Sequence, residues 1–240
     1  MDPATVARRA IPLVDLTSLN DDDTPERIDK LCDDALAGGV AAVCVHGPFV
    51  AQCRDRLDGS EIEVASVVNF PHGGAEISPV VEEVVAAVEN GVDEIDTVIP
   101  LDAAEYGDTA TIEALVAAVV EAADGRPVKA ILETGRLVDR QVIETAGWAA
   151  VAGGARFLKT STGKIGVGAT LEAAEAILSV IASTEDPVGL KVSGGVRTAD
   201  DAAGYLALAD QMLGPDWVGP TTFRFGASGL LADLLAHTQN

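Results

Sequence analysis

Basic residues are few in this chain, and lysine is rarer than arginine. The 240 residues include 16 lysines and arginines against 38 aspartates and glutamates, which gives a formal net charge of −22. An acidic surface of this strength repels the phosphates of nucleic acids and anionic lipids, so we expect neither as a partner. The lysines are Lys30, Lys129, Lys159, Lys164 and Lys191. Two of them lie close together in "FLKTSTGK" (157–164), which raises the question of what lysine does there.

Cysteine is also scarce, and its distribution argues against a disulfide framework. The cysteines are Cys32, Cys44 and Cys53, an odd number confined to the first quarter of the chain. We therefore predict a reducing, cytoplasmic location. The apolar stretch that follows Arg8 and Arg9 is interrupted by Asp15, so we predict neither a signal peptide nor a membrane span.

Histidine is equally rare and shows no metal-ligand pattern. His46, His72 and His237 lack the spacing of a zinc site, which argues against a zinc-dependent aldolase. The chain also lacks a G-x-S-x-G elbow, so hydrolase chemistry has no support. We predict that the protein binds no metal and needs no cofactor.

Hydrophobic residues are abundant, at 48% of the chain, and can form the core of one domain. Because no linker or low-complexity stretch divides the sequence, we predict a single domain over residues 1–240. The acidic residues are spread along the predicted helices, where they repel one another unless salt screens them. This distribution predicts a halophilic protein adapted to a salt-rich cytoplasm.

Short β-branched runs alternate with longer stretches that are rich in alanine and glutamate. The predicted strands span 11–16, 40–46, 63–70, 94–100, 128–134, 155–161, 188–194 and 222–226. The predicted helices span 25–38, 79–91, 110–124, 139–152, 171–184, 198–212 and 228–237, and residues 47–62 hold at most a short helix. Thr24, Ser78 and Thr198 are candidate N-caps. Apolar strands separated by helices indicate a parallel sheet that helices cover.

Either an open doubly wound sheet or a closed (β/α)8 barrel fits this alternation. An open sheet gathers its functional groups at one switch point, whereas a barrel draws them from the carboxyl ends of many strands. Polar side chains occur late in nearly every predicted strand, and they are Asp15, Cys44, Asn69, Asp96, Glu133, Lys159 and Lys191. We therefore predict an α/β fold of the TIM-barrel type, a single (β/α)8 barrel with parallel strands.

The lysines within strands are the candidate catalytic residues. Lys159 and Lys191 each interrupt an apolar strand, which places an ammonium in a poorly solvated wall. A buried lysine near a second cation has a lowered pKa and can attack a carbonyl carbon to form an imine. Asp96 could pair with one of these lysines and transfer protons through water, although a structural salt bridge would also explain it. Lys129, at the start of its strand, is interpreted as a structural pair partner.

Glycine-rich turns follow the last two predicted strands. "SGGVRT" (193–198) and "FGAS" (225–228) each precede a predicted helix. Turns at these two positions of a barrel commonly bind phosphate through backbone N–H groups and a helix N-terminus. Glycine permits the close approach of the ligand, and Arg197 could add positive charge.

Seven segments taken together resemble one enzyme family. They are "VDLTSLNDDDT", "VVNFPHG", "DEIDTVIP", "ILETG", "FLKTSTGK", "KVSGGVRT" and "RFGASGLL", and they run in order from about residue 12 to residue 235. This set is similar to deoxyribose-phosphate aldolase, a class I aldolase family of (β/α)8 fold. The resemblance implies metal-free, reversible cleavage of 2-deoxy-D-ribose 5-phosphate into D-glyceraldehyde 3-phosphate and acetaldehyde. A homo-oligomer that binds small phosphorylated sugars and aldehydes is therefore expected.

The resemblance also implies residue roles. Lys159 becomes the Schiff-base lysine, Lys191 the lysine that lowers its pKa, and Asp96 the acid–base partner. The substrate pocket then contains Asp15, Thr17, Cys44 and Lys164. The phosphate end, which Lys164 also reaches, contains Gly163, Gly195, Arg197, Gly226 and Ser228.

Three departures from the family pattern bear on this interpretation. "KVSGG" replaces the more usual Pro-Ala before the glycines, and Gly229 stands where a second serine is common. The segment "AHTQN" (236–240) contains no tyrosine, so we expect Asp96 and water to protonate the enamine carbon. Two alternatives remain, namely a Schiff-base aldolase for another phosphorylated aldehyde and a non-catalytic barrel that binds sugar phosphates.

Overall fold

The computed structural model describes residues 1–238, and within them eight parallel strands form a closed barrel in sequence order. Each strand pairs with its neighbour, and the last strand pairs with the first. The strands are β1 (Val14–Thr17), β2 (Ala42–His46), β3 (Glu63–Val68), β4 (Glu94–Val98), β5 (Val128–Ile131), β6 (Phe157–Lys159), β7 (Gly189–Ser193) and β8 (Phe223–Ala227). The prediction of a (β/α)8 TIM barrel is confirmed.

The described helices cover the outside of the barrel. They are α1 (Pro3–Ala10), α2 (Pro25–Gly38), α3 (Val50–Arg56), α4 (Ile77–Glu89), α5 (Leu101–Glu105), α6 (Thr109–Ala122), α7 (Arg140–Ala152), α8 (Leu171–Ser183), α9 (Ala199–Leu213) and α10 (Leu230–Thr238). Valine, leucine, isoleucine and alanine side chains of the helices pack against the outward faces of the strands in one core. The strands are therefore buried on both faces, as parallel strands usually are.

Local chemistry accounts for several helix starts. Thr24 caps α2 through its hydroxyl, with Pro25 at the first helical position, and Gly39 ends the helix with φ +69°. Thr198 caps α9 and forms a capping box with Asp201. The expected cap at Ser78 is wrong, because α4 already begins at Ile77 with Glu76 before it.

The remaining differences from the predicted elements lie at the ends and in short connections. Residues 11–13 form a 3₁₀ turn, so β1 begins later than predicted. The short α1 and α5 were not expected, because neither is long enough to show a clear helical period. The connection from β2 to β3 contains the short α3, as predicted. Gln239 and Asn240, the end of the "AHTQN" segment, lie outside the described residues.

Strand register brings the charged side chains together inside the barrel. Lys159 on β6 is the pairing partner of Lys191 on β7, and Asp96 on β4 is the partner of Lys129 on β5. Because side chains alternate between the two faces of a strand, the apolar neighbours of these residues face the helices while the charged groups face inward. The strands therefore present charged side chains to the barrel interior and apolar side chains to the surrounding helices.

Candidate active site

The centre of the barrel contains two lysines that share one carboxylate oxygen. Lys159 Nζ and Lys191 Nζ each lie 2.7 Å from Asp96 Oδ2. The side chains of Asp96 and Lys191 are completely buried, and that of Lys159 is 3% exposed. A single carboxylate cannot fully compensate two ammonium groups, so this arrangement disfavours one of the two positive charges.

The two lysines differ in their other neighbours: Lys191 contacts a second carboxylate, whereas Lys159 faces the cavity. Lys191 Nζ lies 2.5 Å from Asp15 Oδ2, and the other oxygen of Asp15 accepts a hydrogen bond of 2.7 Å from Arg224 Nη1. Lys191 is thus held between two anions beneath the cavity floor. Lys159 lines the cavity itself, so it is the lysine that a ligand can reach.

Burial and charge shift the pKa values of the two lysines in opposite directions. Burial lowers the pKa of Lys159, and Lys191 lowers it further, while Asp96 opposes both effects. Burial also acts to lower the pKa of Lys191, but Asp15 and Asp96 together raise it above its ordinary value. Lys191 is therefore the better stabilised cation, and Lys159 is the lysine that loses its proton more easily.

Asp96 and Asp15 remain anionic despite their burial. Burial raises the pKa of Asp96, but Lys129, Lys159 and Lys191 outweigh it and hold the pKa well below its usual range. Burial likewise raises the pKa of Asp15, and Lys191, Arg224 and Lys129 lower it below its ordinary value. Asp96 can accept or return a proton only through a neighbouring lysine or a water molecule in the cavity.

A polar cavity of about 560 Å³ opens above Lys159 at the carboxyl ends of the strands. The predicted site residues that line it are Thr17, Lys159, Gly163, Lys164, Gly195, Arg197, Gly226 and Ser228. The other four predicted residues, Asp15, Cys44, Asp96 and Lys191, are completely buried beneath or beside it. The lining also includes Ser18, Asn20 and Thr162, which had no predicted role. It includes Ser193 and Gly194 of the predicted phosphate-binding turn, and Gly229, which stands where the family commonly has a second serine.

The glycine-rich turns shape the mouth of the cavity. Gly163 and Gly195 have φ values of +76° and +90°, a left-handed region that favours glycine. A Cβ on Gly226 would lie 3.0 Å from Lys191 Cε and 2.9 Å from Ser193 Cβ. Gly226 therefore leaves room for Lys191 as well as lining the cavity. The N–H groups of Arg197 and Thr198 donate to Asp201.

The "TSTGK" loop after β6 is held from two sides. Glu133, which follows β5 with φ +54°, accepts hydrogen bonds from the N–H and hydroxyl groups of Thr162. Lys164 Nζ donates to the carbonyl oxygen of Leu19 across the mouth. Glu133 therefore has a positioning role in this loop rather than a place in the lysine cluster.

Cys44 lies on β2 next to the charged cluster. Its side chain is buried among Leu19, Ala65 and Val67. Burial raises the pKa of the Cys44 thiol, so it is a neutral wall of the site rather than a thiolate nucleophile.

Three further charged residues lie below the two lysines. The sequence analysis did not assign them to this site. Glu94 and Lys129 are in contact, and Arg224 Nη2 lies 3.2 Å from Glu94 Oε1. A signal was present, because Glu94 precedes Asp96 by two residues and Arg224 stands within the apolar "TFRFG" segment. Lys129 had been interpreted as a structural pair partner, and it does pair, but one of its partners is Asp96 at 3.1 Å.

Residues 1–238 contain no group of three or more histidine, cysteine, aspartate or glutamate side chains arranged to hold a metal ion. In the same range, no helix is long and apolar enough to cross a membrane.

Fold and site together define a (β/α)8 barrel with a buried lysine pair under a polar cavity, an arrangement suited to aldolase chemistry. The chain belongs to the DeoC/LacD family of aldolases, whose family model matches residues 9–235. It is 45% identical over 238 residues to a deoxyribose-phosphate aldolase of Agrobacterium fabrum, covering 97% of this chain and 92% of that protein.

Two solved structures are similar throughout. The apo form of a candidate deoxyribose-phosphate aldolase from Toxoplasma gondii superposes with a TM-score of 0.91 at 26% identity, covering 99% of this chain and 98% of that one. A tetrameric deoxyribose-phosphate aldolase from Aeropyrum pernix has a TM-score of 0.81 at 23% identity, covering 100% and 93% of the two chains. The second likeness supports the fold alone.

Proposed function

We propose that this protein is a Schiff-base aldolase that reversibly cleaves 2-deoxy-D-ribose 5-phosphate into D-glyceraldehyde 3-phosphate and acetaldehyde. The observation that carries the proposal is the environment of Lys159, a lysine on the cavity floor whose pKa burial and Lys191 lower. The Agrobacterium fabrum relative bears the name of this activity.

The chemistry begins at the aldehyde carbon C1 of the open-chain sugar. The free amine of Lys159 attacks C1, and loss of water gives a protonated imine. When the C3 hydroxyl loses its proton, the C2–C3 bond breaks and its electron pair moves toward the imine. Glyceraldehyde 3-phosphate leaves, and an enamine remains on Lys159. Protonation of C2 and hydrolysis of the resulting imine release acetaldehyde and restore the amine.

Lys191 and Asp96 support these proton transfers. Lys191 remains charged between Asp15 and Asp96, so it disfavours the ammonium form of Lys159 before attack. Asp96, in contact with Lys159 Nζ, acts with water as the proton acceptor and donor near the imine. Asp15 acts through Lys191, while Thr17 and Cys44 bound the pocket beside the reacting carbon.

The phosphate group binds at the mouth, where two cations are available. Among residues 1–238, Lys164 and Arg197 have no carboxylate within ion-pair distance, whereas most other basic residues have one. Gly163, Gly195, Gly226 and Ser228 line the same end of the cavity and can admit phosphate oxygens to backbone N–H groups.

The test combines product detection with trapping of the imine. Incubation with deoxyribose 5-phosphate should release acetaldehyde, and borohydride should add a reduced adduct at Lys159 alone. Lys159→Leu should abolish both results, while Lys30→Leu, a change at an exposed lysine paired with Asp34, should alter neither. An adduct at Lys191 would reverse the two lysine roles.

Two other outcomes would replace the proposal. Trapping with a different phosphorylated aldehyde, without acetaldehyde release, would indicate another Schiff-base aldolase. Tight binding of the sugar phosphate with no adduct would indicate a non-catalytic binding barrel.

We propose further that residues 1–240 form a single domain and that the enzyme works in the cytoplasm as a homo-oligomer. The three cysteines are free and buried, which suits a reducing compartment. The net charge of −22 supports the proposal of salt adaptation.

A further inference from the structure

A second layer of buried charge lies beneath the lysine pair, on the side away from the cavity. Lys129 Nζ contacts Glu94 and lies 3.1 Å from Asp96 Oδ1 and 4.0 Å from Asp15 Oδ2. The side chains of Lys129, Asp15 and Asp96 are completely buried, and that of Glu94 is 3% exposed. A buried ammonium is costly unless anions surround it, and three carboxylates surround that of Lys129.

Asp96 joins the two layers through its two oxygens. Its Oδ2 atom accepts hydrogen bonds from Lys159 and Lys191, while its Oδ1 atom faces Lys129 as a charge contact without hydrogen-bond geometry. Lys129 therefore fixes which oxygen Asp96 presents to the lysine pair. Its charge also acts on Lys159 through a medium of low dielectric constant, where charges interact more strongly than in water.

Arg224 completes the lower layer. Its Nη1 atom donates to Asp15 at 2.7 Å, and its Nη2 atom lies 3.2 Å from Glu94 Oε1. Arg224 Nη2 also donates to Glu63, whose side chain is 44% exposed, so water screens that contact.

The net charge of this ion-pair network depends on the protonation state of Lys159. Its buried carboxylates are Asp15, Glu94 and Asp96, and its buried cations are Lys129, Lys191, Arg224 and, when protonated, Lys159. The count is three against three when Lys159 is a free amine, and it has one excess cation when Lys159 is an ammonium. Burial would lower the pKa of Lys129, but Asp96 and Glu94 raise it, so Lys129 is a cation wherever Lys159 titrates.

We propose that Lys129 and Glu94, on the side of the lysine pair away from the cavity, are positioning residues that set the protonation state of Lys159 by balancing the buried charge. Lys129 disfavours the ammonium form of Lys159, and Glu94 limits that effect. The proposal rests on the proposed function in one respect, namely that Lys159 is the reactive amine.

The groups that face Lys159 come from several strands. Cys44 on β2, Asp96 on β4 and Lys191 on β7 act on it directly. Lys129 on β5, Asp15 on β1 and Arg224 on β8 are one or two contacts further away, and Lys129 reaches Lys159 through Asp96. Cys44 stays neutral because burial raises its pKa, and Glu133 is engaged with Thr162. Burial holds the pKa of Glu94 above its ordinary value, helped by Asp15, although the contacts with Lys129 and Arg224 favour its carboxylate form.

The sign of each expected effect follows from these contacts. Lys129→Met removes a cation near Asp96, so the remaining carboxylates stabilise the ammonium and the pKa of Lys159 rises. Glu94→Gln removes an anion while keeping a side chain of the same shape, so the pKa of Lys159 falls. Glu94→Gln/Lys129→Met removes one charge of each sign, and the pKa returns toward that of the unaltered protein.

The experiment measures the amine directly and does not require turnover. The full-length protein is treated with acetaldehyde and cyanoborohydride across a pH series, and the rate of reductive alkylation at Lys159 is followed by peptide mass spectrometry. We expect the midpoint for Lys129→Met to move about one pH unit upward and that for Glu94→Gln to move downward. Lys30→Met, at an exposed lysine, is the matched control and should leave the midpoint unchanged.

Thermal melts accompany each variant, so that alkylation rates are compared only between folded proteins. If Lys129→Met does not fold, Glu94→Gln decides the proposal through its downward shift. Midpoints that equal that of the unaltered protein in a folded single variant would overturn the proposal and leave Lys129 and Glu94 as a structural pair. If Lys159 is alkylated as expected but deoxyribose 5-phosphate is not cleaved, the proposed function fails while this proposal stands.

Discussion

Charge serves two different purposes outside and inside the barrel. Outside, acidic residues outnumber basic ones, and their ion pairs are exposed, as in Lys30–Asp34 and Arg56–Asp33. Inside, four basic side chains and three carboxylates form one buried network around Asp96. Water and salt screen the first set, whereas the barrel wall shields the second.

The few lysines of this chain are therefore concentrated in the barrel interior, where burying a positive charge costs the most free energy. Lys129, Lys159 and Lys191, three of the five lysines, are buried in the barrel. Exposed ion pairs contribute about 0–1 kcal/mol each, so changing one of them has little effect. Removing one member of a buried pair costs about 3–5 kcal/mol and changes the protonation of its neighbours.

The largest effect is expected from Lys191→Leu. Loss of this cation removes the nearer ammonium partner of Asp15 and lets Asp96 stabilise the ammonium of Lys159. The pKa of Lys159 rises as a result, so the free-amine fraction at a given pH falls. We expect kcat/KM to drop by about 10²- to 10⁴-fold and its rise with pH to move to higher pH. The measurement is a pH profile of kcat/KM on protein whose folding is verified by thermal melting.

Lys191→Arg is the matched variant for that prediction. It keeps the charge but changes the shape and prevents proton exchange. We expect it to retain the position of the pH profile while losing rate. A near-normal rate with an unchanged pH profile in Lys191→Leu would remove Lys191 from the mechanism.

An intermediate effect is expected at the mouth, where the two regions meet. Gly229 lines the cavity, and an added Cβ there meets no described atom within 4 Å. Gly229→Ser introduces a hydroxyl that can bind a phosphate oxygen, a gain of about 1 kcal/mol. We expect KM for deoxyribose 5-phosphate to fall by about fivefold with kcat nearly unchanged.

Gly229→Ala is the control, because it adds the carbon without the hydroxyl. KM should then stay close to its original value. An equal decrease of KM in both variants would show that loop stiffness, rather than a hydrogen bond to phosphate, causes the gain.

The smallest effect on the chemistry is expected from salt. At 0.01 M salt the Debye length is about 30 Å, so repulsion among the exterior carboxylates is collective, and at 1 M it is about 3 Å. We expect Tm to rise by about 10 °C from dilute buffer to molar KCl, which corresponds to about 5 kcal/mol for a chain of this size. The alkylation rate of Lys159 in the folded protein should change by less than about twofold, because its neighbours are buried.

Melting curves across a KCl series test the salt dependence of the exterior charges, and alkylation rates across the same series test the shielding of the interior charges. A flat Tm would contradict salt adaptation and leave the aldolase family unaffected. A Lys159 rate that follows the salt concentration would contradict the shielding of the interior.

The fold was predictable because strand and helix signals agreed along the whole chain. Apolar runs of five to eight residues were found as strands with boundaries shifted by a few residues. The misses were short elements such as α1 and α5, and the cap at Ser78, where α4 extends two residues earlier. In these places packing against the barrel adds stability that a local pattern does not contain.

The site was predictable in part. Lys159 and Lys191 stand out because an ammonium within an apolar strand is costly, and the glycine-rich turns stand out because they follow the last two strands. The lower layer was harder to find. Glu94 and Arg224 do not belong to a recognisable sequence motif, and their role depends on which charged residues of other strands they contact.

Local sequence patterns were enough to predict the number of strands, their parallel order and the two lysines that interrupt apolar strands, because hydrophobic periodicity and the cost of buried charge can be recognised within a short segment. The tertiary structure alone decided which charges meet. Asp15 and Arg224 are in contact although 209 residues separate them, and Lys159 reaches Asp96 across 63 residues. Barrel closure brings β8 beside β1, and this closure places Arg224 against Asp15 in the buried network of charges.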